Sequence, residues 1–187
     1  MTEAATHSPA AGPGISGWEV RPARDDDAAA VAAAVAALVA ELGGSPPPRA
    51  AIEAETRAHI ADPSLGIVLV AVPTLDPRLS SQKAADSAAN CERTGPVGAL
   101  TASWARAIQV AGRLLTIEVL WTRREWRDRG VGAALVEALA AAAAAEGAGR
   151  VEVGLPRESF AALRATERFY LANGFERLGP RMRRAVP

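Results

Sequence analysis

The sequence has few of the residues that build disulfide, redox or metal sites. Cys91 is the only cysteine among 187 residues, so no disulfide can form within the chain, and a reducing, cytoplasmic location is expected. The two histidines, His7 and His59, are too few for a histidine-based metal centre, so no metal is expected. No apolar run reaches transmembrane length, so no membrane association is expected either.

The balance of charge argues against nucleic acid as a partner. Lys+Arg and Asp+Glu both number 21, so no global field draws the chain to a polyanion. Basic charge is concentrated locally instead, in a short stretch that contains Arg123, Arg124, Arg127 and Arg129. This concentration suits a compact ligand with several phosphates, although a solvated surface would also explain it.

A glycine-containing loop, 127–132 (Arg-Asp-Arg-Gly-Val-Gly), joins a strand-like segment to a helical one. A helix that starts at glycines presents unpaired amides and the positive end of its dipole to an anion. A Walker A loop is excluded because alanines, Ala133 and Ala134, stand where its Lys-Ser/Thr pair would be. The dinucleotide fingerprint is excluded because Leu135 replaces its third glycine. The loop predicts a phosphate site, with a ligand-free helix start as the alternative.

Two motifs together resemble one family. The spacing Arg-x-x-Gly-x-Gly is similar to the coenzyme A pyrophosphate loop of the GCN5-related N-acetyltransferase (GNAT) superfamily. Residues 169–175 (Phe-Tyr-Leu-Ala-Asn-Gly-Phe) resemble its second signature, in which a helix with an aromatic pair ends at a glycine and a phenylalanine opens the next strand. The motifs occur in the family's order, and the resemblance covers roughly residues 18–186.

The resemblance implies an α/β fold with a central mixed, mostly antiparallel sheet of about seven strands and flanking helices. The sequence pattern gives the matching order β-α-α-β-β-β-α-β-α-β-β. Strands are predicted at 18–21, 66–72, 97–105, 112–122, 150–155, 175–178 and 182–186, and helices at 28–42, 49–60, 131–146 and 160–172. Residues 1–17 are expected to form a disordered tail, 18–187 a single domain, and 73–95 a long, mobile polar loop within it.

The resemblance also implies a binding site for acetyl-CoA. The pyrophosphate would be held by the loop residues Arg127, Asp128, Arg129, Gly130, Val131, Gly132 and Ala133. In the family a bulge frees the amides of the central strand for the acetyl carbonyl and the pantetheine arm, which here are those of Leu120, Trp121 and Thr122. One departure is Leu163, at a position where family members commonly carry an asparagine that contacts the pantetheine arm.

Glu118 is the candidate general base because carboxylates are depleted inside strands, and this one stands between Ile117 and Val119. Strict alternation would place Glu118 on one face with Thr116 and Leu120. The opposite face would then carry Leu115, Ile117, Val119 and Trp121. The superfamily often has a glutamate at this position. A solvated carboxylate, or one paired with a neighbouring arginine, is the structural alternative.

Tyr170 is the candidate general acid. In the resembling motif a tyrosine four residues before the glycine points its hydroxyl at the coenzyme sulfur. The alternative is an aromatic side chain that anchors the helix to the sheet.

These features predict an N-acetyltransferase that passes an acetyl group directly from acetyl-CoA to a primary amine of a small molecule or peptide. No covalent enzyme intermediate is expected, because no activated nucleophile is visible. An aminoglycoside-like compound, a protein lysine, longer acyl-CoA donors and a homodimer all stay open. The competing class is a catalytically silent acyl-CoA sensor, and the presence of both Glu118 and Tyr170 argues against it.

Overall fold

The structure, a computed structural model, describes residues 15–75 and 95–179. Within these ranges the elements follow the predicted order as far as the last helix. They are β1 (Ile15–Pro22), α1 (Ala28–Glu41), α2 (Arg49–Ala61), β2 (Gly66–Leu75), β3 (Gly98–Ala107), β4 (Gly112–Thr122), α3 (Val131–Ala145), β5 (Arg150–Val153) and α4 (Leu163–Ala172). Short 3₁₀ turns lie at Asp25–Asp27, Ile108–Val110 and Arg124–Trp126.

The five strands form one mixed sheet in the order β1-β2-β3-β4-β5. The first four strands are antiparallel to their neighbours, and β5 runs parallel to β4. A parallel pair needs a crossover connection, which α3 supplies. The strands predicted at 97–105 and 112–122 form the antiparallel pair β3 and β4, and the predicted mixed, mostly antiparallel sheet is confirmed.

Helices cover both faces of the sheet. On one face Leu135 and Leu139 of α3 and Tyr170 of α4 pack into a cluster with Leu100 and Leu115. On the other face Val31 and Ala34 of α1 pack against Val68, Val70 and Ala99. Gly98 lets α3 approach closely, because a Cβ there would lie 2.7 Å from Val131 Cγ1. The start of α3 is thereby fixed at the ends of β3 and β4, where the predicted phosphate loop lies.

The start of α1 is stabilised by an ion pair between Arg21 of β1 and Asp27, the last of three consecutive aspartates. Asp27 is the last residue of the 3₁₀ turn, is 9% exposed, and accepts hydrogen bonds from Arg21 Nη1 at 2.7 Å and Nη2 at 3.1 Å. It also accepts one from the backbone N–H of Arg24 at 2.7 Å. Asp27 therefore ties the 3₁₀ turn before α1 to β1, and its side chain makes no capping hydrogen bond to the amides of α1.

Two predictions about strands are wrong within the described residues, which form five strands and not about seven. Residues 175–178 were predicted as a strand but are irregular. The N–H of Phe175 bonds the Tyr170 carbonyl at 3.1 Å, so this residue completes the end of α4. A strand also needs a ladder partner, and the segment has none among the described residues. The strand predicted at 182–186 lies outside them.

Other boundaries shift by a few residues. The first strand begins at Ile15 rather than Trp18, and β2 continues to Leu75, so it includes the start of the predicted loop 73–95. The last helix begins at Leu163 rather than residue 160. Residues 1–14 of the predicted tail, residues 76–94 of the loop and Cys91 within it lie outside the described residues.

Candidate active site

The sheet opens between β4 and β5, and the candidate site lies at this opening. Parallel pairing of the two strands runs from Leu114↔Arg150 to Ile117↔Val153 and stops there. From Glu118 onward β4 has β3 on one side only, so main-chain groups on its other edge face the opening. The amides of Leu120–Thr122 were expected to be released by a bulge, but these residues keep register with β3, and the divergence of β5 exposes their edge instead.

A bulge is present in β4, and it lies at Glu118. Thr101 pairs with Val119 and Ala102 pairs with Ile117, so Glu118 is the extra residue between them. An extra residue reverses the alternation of side chains beyond it. Leu120 accordingly packs into the α3 cluster with Leu115 and Ile117, and Trp121 packs against the α1 cluster.

The predicted faces of β4 hold for Leu115 and Ile117 but are wrong for Leu120 and Trp121, because the alternation was counted without the bulge. Glu118 itself is exposed at the opening. Within the described part of the chain it makes no hydrogen bond or ion pair, so the alternative that it pairs with a neighbouring arginine finds no support there.

The loop before α3 has the backbone geometry of an anion cradle. Asp128 and Gly130 both adopt left-handed conformations, with φ of 59° and 80°. The first hydrogen bond of the helix runs from the Ala134 N–H to the Gly130 carbonyl at 3.0 Å. The amides of the first three helical residues, Val131–Ala133, therefore have no acceptor inside the helix. Together with the helix dipole they can hold an anion such as a phosphate.

Of the four clustered arginines, only Arg127 lines the opening. Its guanidinium forms a two-point ion pair with Glu41 at the end of α1, at 2.9 Å and 2.8 Å. Arg123 donates to the Pro96 carbonyl at 3.1 Å, and Arg129 lies over the Trp126 ring at 5.3 Å from its centroid. The arginine cluster is thus divided between the cleft and the surrounding structure.

Gly132 has a packing reason to be small that the sequence did not reveal. A Cβ at this position would lie 3.3 Å from Cε2 and Cζ of Phe169 on α4. A larger residue would therefore push α3 away from α4 as well as obstruct a ligand. Substitution of Gly132 cannot separate phosphate binding from helix packing, and Arg127 is the cleaner position to test.

Tyr170 lies on the far wall of the same opening and is only 8% exposed. Its ring makes edge contacts with Phe169 and Phe175, with both pairs of ring centroids 5.2 Å apart. Burial raises the pKa of Tyr170 to about 12, because the phenolate would lose its hydration. The hydroxyl therefore keeps its proton across the neutral range and can only donate it. The anchoring and proton-donor interpretations are both compatible with this geometry.

One cleft of about 590 Å³ brings these features together. Every residue predicted for the site lines it except Arg129, namely Glu118, Leu120, Trp121, Thr122, Arg127, Asp128, Gly130, Val131, Gly132, Ala133 and Tyr170. Leu163, the position where the family commonly has asparagine, does not line the cleft. The volume of the cleft is within the range of small-molecule sites.

Sequence reasoning missed the wall that α1 contributes to the cleft, which includes Leu38 and Glu41. Glu41 is the only charged residue of α1, a helix otherwise made of alanine, valine and leucine. That isolation at the end of an apolar helix was the available signal. Thr166 and Asn173, on either side of Tyr170 in sequence, also line the cleft and were not singled out.

Residues 15–75 and 95–179 contain neither a metal-binding group of side chains nor a helix that could span a membrane. No group of three or more histidine, cysteine, aspartate or glutamate side chains there could hold a metal ion. Nor does any helix in that part of the chain have the length and apolar character needed to cross a bilayer.

The opening between β4 and β5, the glycine loop and the buried Tyr170 all lie in a part of the chain that matches a known family. Residues 89–177 match the family model described as acetyltransferase (GNAT) domain. This match confirms the predicted resemblance to the GNAT superfamily over residues 89–177. A search of curated proteins finds no match to the sequence.

Solved structures with this fold include several acetyltransferases. A possible acetyltransferase from Clostridium difficile 630 is 16% identical with a TM-score of 0.68, over 91% of this chain and 97% of the other. The aminoglycoside N-acetyltransferase AAC(6')-Iy in complex with CoA is 13% identical with a TM-score of 0.68, over 95% and 99%. An aminoglycoside acetyltransferase from an uncultured soil metagenomic sample is 18% identical with a TM-score of 0.63, over 91% and 99%. At these identities the likeness is one of fold.

Proposed function

We propose that the protein transfers an acetyl group from acetyl-CoA directly to a primary amine. The observation that carries this proposal is the single cleft that joins the loop 127–133 to Glu118 and Tyr170. An anion site at one end, an exposed carboxylate and a buried phenol are the groups that amine acylation by a thioester requires. The solved relative in complex with CoA supports the choice of donor.

The residues of the loop fit the diphosphate of coenzyme A. Amides of Val131–Ala133 have no acceptor within α3, and the left-handed Gly130 brings bare backbone to the cleft. Arg127 adds a cation beside them. The open edge of β4 at Leu120–Thr122 offers main-chain groups to an extended pantetheine arm and to the acetyl carbonyl. A substituent at Gly132 would fill the space between loop and α4.

The two candidate side chains divide the proton transfers. Bound acetyl-CoA supplies an activated thioester whose carbonyl carbon accepts the amine nitrogen while the carbon–sulfur bond breaks. An alkyl ammonium has a pKa near 10, so it must lose a proton before it can attack at neutral pH. Glu118, free of other partners within the described residues, accepts this proton directly or through water. Tyr170, which is protonated at neutral pH, donates to the departing sulfur.

A panel of amines with acetyl-CoA tests the proposal by the release of free thiol. Thiol release that depends on one of the amines, accompanied by its N-acetylated product, is the expected result. Coenzyme A binding without thiol release from any amine would favour the second candidate, a silent acyl-CoA sensor. The sensor has no need of an exposed carboxylate at Glu118, and this is why transfer is preferred.

A further inference from the structure

A second cavity meets the cleft at Glu118. It has a volume of about 340 Å³ and lies between α1, α2 and the sheet. Glu118 lines both spaces, and it is the bulge residue of β4. Glu118, the residue proposed to accept the ammonium proton, thus also lines a second cavity, which the phosphate loop does not line.

The walls of this cavity are mainly apolar and are formed by Val35, Pro47, Ala51, Ile52, Val68 and Val119. Besides its carboxylates, the polar side chains that line it are Thr56, His59 and Thr101, and the first two are engaged elsewhere. The Thr56 hydroxyl donates to the Ile52 carbonyl at 2.8 Å. His59 has Nδ1 at 3.0 Å from the Glu55 carbonyl oxygen and Nε2 at 3.4 Å from Ser103 Oγ.

The charge in the cavity has one dominant sign. Glu55 and Glu118 contribute two carboxylates, and no lysine or arginine is among the described residues that line it. A cation is therefore favoured near the carboxylates and an apolar group against the walls.

We propose that this cavity selects the acceptor, and that the acceptor is a primary monoamine on a compact hydrocarbon or aromatic body. The inference rests on the proposed function and names the substrate class of that site. The ammonium would lie at Glu118 and the body against Ile52, Val68 and their neighbours. An aminosugar would leave many hydroxyls without hydrogen-bond partners in this space, since Thr56 and His59 are already engaged and Thr101 adds only one further hydroxyl. A polyamine would bury additional charges against hydrocarbon.

A comparison of kcat/KM for three amines tests the substrate class. With acetyl-CoA as donor, kcat/KM is measured by thiol release for phenethylamine, spermidine and kanamycin. We expect phenethylamine to exceed the other two by at least about 10-fold, the discrimination that unpaired polar groups and apolar contacts provide. A preference for spermidine or kanamycin would overturn the inference and leave the proposed function intact. Coenzyme A binding without acetylation of any amine would overturn the proposed function and this inference with it.

A matched pair of variants on α2 tests the location. Ala51 is exposed and lines the cavity, whereas Ala54 is equally exposed and does not. Ala51→Phe should weaken direct binding of phenethylamine, measured by titration without donor, by about 10-fold through lost cavity space. Ala54→Phe should leave that binding unchanged, and both variants should bind coenzyme A like the parent. Equal phenethylamine binding by the parent and Ala51→Phe would overturn the location.

Discussion

The guanidinium of Arg127 and the carboxylate of Glu41 form a two-point ion pair inside the cleft, with N–O distances of 2.9 Å and 2.8 Å. Arg127 also donates from Nε to the Thr122 carbonyl at 3.2 Å, so three bonds fix its orientation. The hydrogen bond from Arg127 lowers the pKa of the Glu41 carboxyl, which keeps the carboxylate charged beside the proposed phosphate site. The Arg127–Glu41 pair therefore determines the local charge at the proposed diphosphate site.

The first prediction concerns this pair. Arg127→Ala should weaken coenzyme A binding by about 10-fold, because it removes a charge-assisted contact and leaves Glu41 to repel phosphate. Glu41→Gln should bind coenzyme A at least as tightly as the parent, since the arginine then has no competing carboxylate. Isothermal titration of both variants and of the double variant gives the coupling between them.

Arg124→Ala is the control for that experiment, because Arg124 belongs to the same arginine cluster but does not line the cleft. Its coenzyme A affinity should match the parent. If Arg127→Ala left the coenzyme A affinity unchanged, both with Glu41 present and with Glu41→Gln, Arg127 would not belong to the proposed site.

The second prediction uses the fact that Tyr170 is the only tyrosine of the chain. The phenolate absorbance of the folded protein should therefore report one group, titrating at about 12 because burial disfavours the phenolate. The chain unfolded in urea should titrate near 10. A folded-state midpoint near 10 would mean that the hydroxyl is well hydrated, contrary to the structure.

Turnover of Tyr170→Phe completes the test of the proton donor. Loss of a general acid should lower kcat by about 100-fold or more while acetyl-CoA affinity stays near that of the parent. Since Phe keeps the edge contacts with Phe169 and Phe175, the fold should be retained. Full turnover in this variant would leave Tyr170 with the anchoring role alone.

The third prediction concerns Glu118→Gln. If the carboxylate takes the ammonium proton, kcat/KM should fall most near neutral pH, and the defect should shrink at high pH where the amine is already deprotonated. Glu118 is exposed at a bulge, so the variant should unfold at the parent's temperature. A loss that is uniform across pH would indicate binding of the acceptor by the carboxylate, and no loss at any pH would contradict the base assignment.

The fourth prediction is a pH dependence of stability at Asp27. Burial would raise the pKa of this carboxyl, but hydrogen bonds from Arg21 and from the Arg24 N–H outweigh it and lower the pKa. Because the folded pKa is the lower one, the added stability is present above the unfolded value of about 3.9 and is lost as pH falls through the folded value.

Asp27→Asn should therefore cost about 2–3 kcal/mol of unfolding free energy at neutral pH, since it leaves Arg21 unpaired in a partly buried place. The difference from the parent should shrink below about pH 4 as Asp27 itself becomes protonated. Asp26→Asn, at an exposed neighbour, is the control and should behave like the parent. Denaturant titrations at several pH values check this, and a difference that grows in acid would contradict it.

Local pattern predicted the parts of this protein that are set locally. The glycines of the loop, the apolar spacing of α3 and the aromatic motif of α4 each lie within one segment, and the structure has them where the sequence indicated. The two strands β3 and β4 were likewise predicted from their own segments. That these motifs would meet in one cleft was predicted from the family resemblance.

The sequence could not reveal features that depend on distant partners. The bulge at Glu118 depends on how β4 aligns with β3, and a single extra residue leaves no mark in the alternation. The ion pair of Arg127 with Glu41 joins residues far apart in sequence. Residues 175–178 were predicted as a strand, yet they lack a ladder partner among the described residues, and the N–H of Phe175 bonds the end of α4 instead.

The central claim is direct transfer from acetyl-CoA to an amine in this cleft. The most direct measurement uses acetyl-CoA with an isotopically labelled acetyl group, a rapid quench, and mass spectrometry of both the amine and the protein. The account predicts label on the amine nitrogen, free thiol in equal amount, and no labelled protein at any time. Label held on the protein before it reaches the amine, or label that never leaves the coenzyme although the coenzyme binds, would contradict it.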